Sequence, residues 1–80
     1  MGALRIYVDF QNADTQGRVR LNTRGTLRDL QAQGVTLSEQ LQVTLYSEEF
    51  EANGRAHFSV EENIWVAQID WKQLRELPDA

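Results

Sequence analysis

Residues Leu4-Arg5-Ile6-Tyr7-Val8-Asp9-Phe10 alternate apolar and polar without a break, so that Leu4, Ile6, Val8 and Phe10 share one side and Arg5, Tyr7 and Asp9 the other. Period two is the signature of a half-buried strand, and three further runs repeat it. Residues 18–23 carry it with Val19 and Leu21 inward, residues 41–46 with Leu41, Val43 and Leu45, and residues 56–60 with Ala56, Phe58 and Val60. A fifth strand, residues 64–71, is apolar on both phases: Trp65, Ala67, Ile69 and Trp71 lie on one, Ile64 and Val66 on the other. That makes it the best covered of the five. Eighty residues divided into runs this short have one core and form one domain over 1–80, without room for a two-lobed cleft.

The connections follow from turn chemistry. Residues 12–17 are rich in turn formers and predict a hairpin that pairs Phe10 with Val19 and Val8 with Leu21, which sets Asp9 opposite Arg20. Thr26 is placed to cap a short helix over 27–33, with Asp29 near its positive end, Leu27 and Leu30 on one face and Gly34 as the stop. So short a helix has no stability of its own and must lie on the sheet, as a lid over one end. Residues 47–54 read as an acidic loop ending in an Asn53-Gly54 turn, and Glu61-Glu62-Asn63 as the next tight turn. Leu74 and Leu77 stand at helical spacing before Pro78, which predicts a closing helical turn over 72–77.

The resulting fold class is all-β, or mainly β: five short strands, one short helix between the second and third, and a C-terminal helical turn. Closing such a sheet into a barrel removes its bare edges. The stretches Leu41-Gln42-Val43-Thr44-Leu45-Tyr46 and Trp65-Val66-Ala67-Gln68-Ile69-Asp70-Trp71 resemble the SH3-like small barrels, and similar segments occur in short bacterial proteins. The resemblance implies a five-stranded small barrel and transfers no binding residues. The first hairpin lacks the tyrosines and acidic loop with which peptide-binding SH3 domains grip proline-rich ligands.

Charge is distributed unevenly within a net of −4. Residues 1–37 carry five arginines against three aspartates, and residues 38–80 three basic against nine acidic side chains. The two halves can neutralise each other across the fold, or leave an arginine patch facing an acidic partner. The absence of cysteine excludes disulfides, a thiolate nucleophile and Cys-based zinc sites, and favours a reducing compartment. Met1-Gly2-Ala3 opens no signal peptide, Ile6 stands where a myristoylation signal wants Ser or Thr, and no apolar run could span a membrane. The expectation is a soluble, cytoplasmic protein.

No catalytic constellation emerges. His57 faces outward with Ser59 two residues on, without a third partner, and the expectation is a protein that is not an enzyme and takes no cofactor or metal. Glu48, Glu49, Glu51, Glu61 and Glu62 lack the order of a calcium loop and read as solvated turn charges. Two surfaces remain. Tyr46, Phe50 and Trp65 are the candidates for a partner-binding patch, serving an unknown protein or a second copy as a homodimer. Arg18, Arg20, Arg24 and Arg28 are the candidates for an anion or nucleic-acid contact, with free amides at Gly25-Thr26 beside them. The acidic total, with a pI near 4.8, places nucleic acid second.

Overall fold

A computed structural model describes residues 4–78; the Met1-Gly2-Ala3 stretch read for targeting signals lies outside the described residues. The protein is mainly β. Six strands, β1 (Leu4–Tyr7), β2 (Val19–Arg20), β3 (Gln42–Tyr46), β4 (Phe50–Ser59), β5 (Ile64–Ile69) and β6 (Arg75–Glu76), form one sheet, with one α-helix, α1 (Arg24–Gln33), between β2 and β3. The sheet order is β1-β3-β4-β5-β2, with β6 beside β4. Among the described residues no helix is long and apolar enough to cross a membrane.

The long strand β4 organises the sheet. Its first half pairs with β3, Leu45 opposite Ala52, and its second half with β5, Ala56 opposite Ala67. Gly54 and Arg55 belong to both pairings. A Cβ on Gly54 would stand 2.7 Å from Ile69 Cγ2 and 2.9 Å from the Gln68 carbonyl oxygen, so only glycine allows β4 to change partners there. The Asn53-Gly54 turn expected from sequence is therefore mid-strand. The reversal comes earlier, where Ser47 Oγ accepts the amides of Glu49 and Phe50. At the other end β4 stops at Ser59, and Val60, expected inward, is 80% exposed in the turn that Asn63 closes with φ 59°.

The N-terminal hairpin is also corrected. β1 runs parallel to β3, Leu4 opposite Val43 and Tyr7 opposite Tyr46, while β2 pairs antiparallel with β5. The turn sits at Asp14–Arg18, tighter and later than expected, because Asp14 Oδ1 accepts the amides of Gln16 and Arg18. Residues 12–14 thus face 18–20: Asp14 N–H donates to Arg18 O and Arg20 N–H to Asn12 O. The Asp9–Arg20 pair expected does not form: Arg20 pairs with Glu62, and the Asp9 carboxylate accepts the Gln11 amide. The core gathers Ile6, Val8, Val19, Leu21, Val43 and Leu45 with Leu30 of the helix.

Helix α1 begins three residues earlier than the sequence suggests, with Thr23 as its cap. Thr26 has another task, since its hydroxyl donates to Tyr7 O at 2.6 Å. A hydroxyl has one proton, so the Thr23 hydroxyl donates to Thr26 Oγ1 and accepts the Thr26 amide in turn. Gly34, at φ 63°, ends the helix as expected: its N–H reaches Gln31 O, and that of Val35 reaches Leu30 O. The lid predicted over one end is instead a strip along the free edge of β1. There Asp29 Oδ2 accepts the Tyr7 amide, Thr26 donates to the Tyr7 carbonyl, and Gln33 Nε2 donates to the Arg5 carbonyl. Three side chains do for β1 what a neighbouring strand would do.

The carboxy-terminal segment departs from its predicted helical turn. β5 ends at Ile69 because Asp70 Oδ1 takes the Lys72 amide and starts a 3-10 turn, Trp71–Gln73. Residues 75 and 76 then pair with Glu51 and Phe50, held by the Arg75–Glu51 ion pair at 2.9 Å.

Candidate interaction surface

The four arginines expected to act together divide into two pairs. Arg18 Nε donates to Asp14 Oδ2 at 2.8 Å and is largely covered. Arg20 grips both Glu62 oxygens, at 2.7 and 2.8 Å, and also donates to Asn12 Oδ1 and Ala13 O. These two are internal clamps. Arg24 and Arg28 are exposed on α1 and form no ion pair among the described residues.

The three aromatic candidates are likewise dispersed. The Tyr46 hydroxyl donates to Asp29 Oδ2, its ring meets Tyr7 edge-on, and the Arg5 guanidinium lies 4.3 Å from its centroid. Phe50 meets Phe10, and Trp65 meets Phe58. Along β4, the register partners of Tyr46 and Trp65 are Glu51 and Phe58, a separation of about 20 Å at the usual rise of a strand. No single patch contains all three. Trp71 is 41% exposed and seals the first turn, its Nε1–H donating to Gly17 O at 2.7 Å.

His57 and Ser59 do not act on one another. His57 Nδ1 lies 2.9 Å from Glu39 Oε1, whose other oxygen accepts the Phe58 amide, and Ser59 Oγ accepts the Glu62 amide. The Phe58 amide first, and His57 after it, hold the Glu39 carboxyl below its ordinary range. Among the described residues no acidic or histidine cluster could hold a metal ion. Glu51 is bracketed by Arg5 and Arg75, and Glu62 by Arg20.

Trp65 instead lines an apolar groove of about 360 Å³ between α1 and β5, with Leu21, Leu27, Leu30, Leu37 and Ile64. Leu27 forms its helical wall and is 54% exposed. Arg24 stands one helical turn before Leu27 and borders the same wall, while Arg28, the next residue after it, is turned about 100° away but lies one turn above Arg24. The signal for this arrangement was in the sequence as Arg24-x-x-Leu27-Arg28, but it becomes legible only once the helix starts at Arg24. Matched against protein-family models, curated proteins and solved structures, the chain finds no counterpart in any of the three.

Proposed function

We propose that the chain is a non-enzymatic SH3-like small barrel that binds another protein, and that the α1–β5 groove receives an acidic segment with apolar anchors. The observation that carries this reading is Leu27, a large apolar side chain exposed over an apolar groove, with Arg24 one turn before it and Arg28 beside Arg24, neither in an ion pair among the described residues. A partner supplying leucine-like anchors and carboxylates would cover the groove and neutralise Arg24 and Arg28 together. The sheet edges offer less, because α1 side chains occupy that of β1 and residues 12–14 flank β2. The absence of cysteine supports a cytoplasmic setting.

A synthetic amphipathic peptide of leucine and glutamate tests the proposal, with the Trp65 indole N–H followed by NMR. Saturable, salt-sensitive shifts are expected, abolished by Leu27→Asp and weakened by Arg24→Glu. No shift, or equal binding of a leucine–lysine peptide, would overturn the reading. Concentration-dependent dimerisation lost in Leu27→Asp would make the occupant a second copy. Retention on single-stranded RNA lost in Arg24→Glu would favour nucleic acid instead.

A further inference from the structure

The outer face of the β3-β4-β5 sheet carries a second concavity of about 580 Å³, most of whose lining residues are polar. Its centre is Arg55, at the residue pair where β4 changes partners. Backbone register sets Gln42 of β3 on one side of it and Gln68 of β5 on the other. Adjacent strands lie about 5 Å apart, so the three side chains form one row across the sheet. The other sheet arginines, Arg5, Arg20 and Arg75, each hold a carboxylate. Arg55 holds none among the described residues, although it belongs to the acid-rich half of the chain. Its register partners are amides where a carboxylate would have closed the pair.

The surrounding groups are also uncommitted. Among the described residues the side chains of Gln40, Gln42 and Gln68 make no hydrogen bond. Asn53 engages only its oxygen, which accepts the Thr44 hydroxyl. Asp70, on the rim, gives one oxygen to the Lys72 amide and leaves the other open. Gln40 is held at φ 65°, in the left-handed region that side chains rarely adopt, by its N–H bond to Ala56 O, and this brings it to the lining.

We infer that this concavity binds a small polyhydroxylated anion, a sugar phosphate or a sugar acid. The planar guanidinium of Arg55 takes the anionic group through two parallel hydrogen bonds, with the Gln42 and Gln68 amides beside it. Asn53 and Gln40 donate to hydroxyl oxygens, and the open Asp70 oxygen accepts a hydroxyl proton. A bare anion would use Arg55, Gln42 and Gln68 but leave Asn53 and Gln40 without a role, and nothing in it would donate to the open Asp70 oxygen. A nucleic-acid strand would need an aromatic platform for its bases, and no aromatic ring lines this concavity.

The full chain is titrated with glucose 6-phosphate, glucuronate, glucose and inorganic phosphate, following the Gln42 and Gln68 side-chain amides by NMR. Saturable shifts with a dissociation constant of about 1 mM are expected for at least one of the two anionic sugars, and a response to one alone names the source of the charge. Glucose and phosphate should bind about tenfold more weakly or not at all, as should the anionic sugars in Arg55→Ala. Arg24→Glu, on the other side of the protein's chemistry, should bind them unchanged, which separates this site from the protein-binding groove. The inference is overturned if neither anionic sugar shifts these amides, if glucose or phosphate matches them, or if Arg55→Ala binds as tightly.

Discussion

Asp29 joins three segments that lie far apart in sequence. One oxygen, Oδ2, accepts both the Tyr7 amide at 2.9 Å and the Tyr46 hydroxyl at 3.0 Å, tying α1 to β1 and β3 at once. Asp29→Ala leaves a half-buried amide and a phenol without their acceptor and should cost about 2 kcal/mol in chemical denaturation. Tyr7 and Tyr46 are the chain's two tyrosines, so tyrosinate absorbance reports on this cluster alone. Both titrate above the ordinary value of 10.0. For Tyr7 the chief cause is its hydrogen bond to Glu48, with desolvation second; for Tyr46 it is desolvation, then its bond to Asp29. A raised folded value means stability that is intact below the unfolded value and lost as pH rises through the folded one. The native protein should therefore resist tyrosine ionisation at about pH 10, and Asp29→Asn should lower the Tyr46 midpoint. Two tyrosines titrating at their ordinary value in the native protein would refute the cluster.

At the scale of elements, Gly25 decides how α1 meets the sheet. A Cβ there would stand 2.8 Å from Tyr7 Cδ1, on the body of a ring held by Glu48 and Tyr46. Helix propensity favours alanine over glycine by about 1 kcal/mol, but forcing a methyl against a fixed ring costs about 1–3 kcal/mol. Gly25→Ala should thus lower the melting temperature, and an increase would show that the ring yields. The first five strands were legible from alternation or from an apolar run, and the helix end from Gly34, whereas β6 lies where a helical turn was expected. Strand pairing was not legible, because alternation fixes which side chains face inward and leaves the neighbour open. Asp14 moved the first turn, and Gly54 serves a close backbone approach with the same residue type that a turn requires. Of the candidate site, Trp65 and the exposed pair Arg24 and Arg28 were legible. Tyr46 and Phe50 were diverted by Asp29 and Phe10, contacts between segments far apart in sequence.

For the whole molecule, the uneven charge of the two halves becomes a set of ion pairs across the fold. Arg5 with Glu51, Arg18 with Glu61 and Arg20 with Glu62 each join the basic half to the acidic one. Arg20 draws the Glu62 carboxyl below its ordinary range, and Arg75, then Arg5, do so for Glu51 against an opposing effect of burial. At Asp14 desolvation is the largest effect and pushes upward, but the Arg18 and Gln16 contacts together outweigh it. Depressed folded values give stability that is present above the unfolded carboxylate range and lost as pH falls through them. Thermal melts should therefore be flat between about pH 5 and pH 9 and fall steadily below about pH 4, and Glu62→Gln should shallow that fall. A melting temperature unchanged in acid would refute the role of these pairs.

The parallel register of β1 on β3 joins Leu4 to Val43, thirty-nine residues away, while β3, β4 and β5 are linked by short turns. During synthesis β1 precedes the strand that completes it, and α1 has no finished edge to guard until β3 arrives. The meander can form from its own neighbours, whereas the N-terminal half must wait unpaired. In that interval its excess of arginine gives it a net positive charge, which repels like copies until the acidic half that neutralises it has been made.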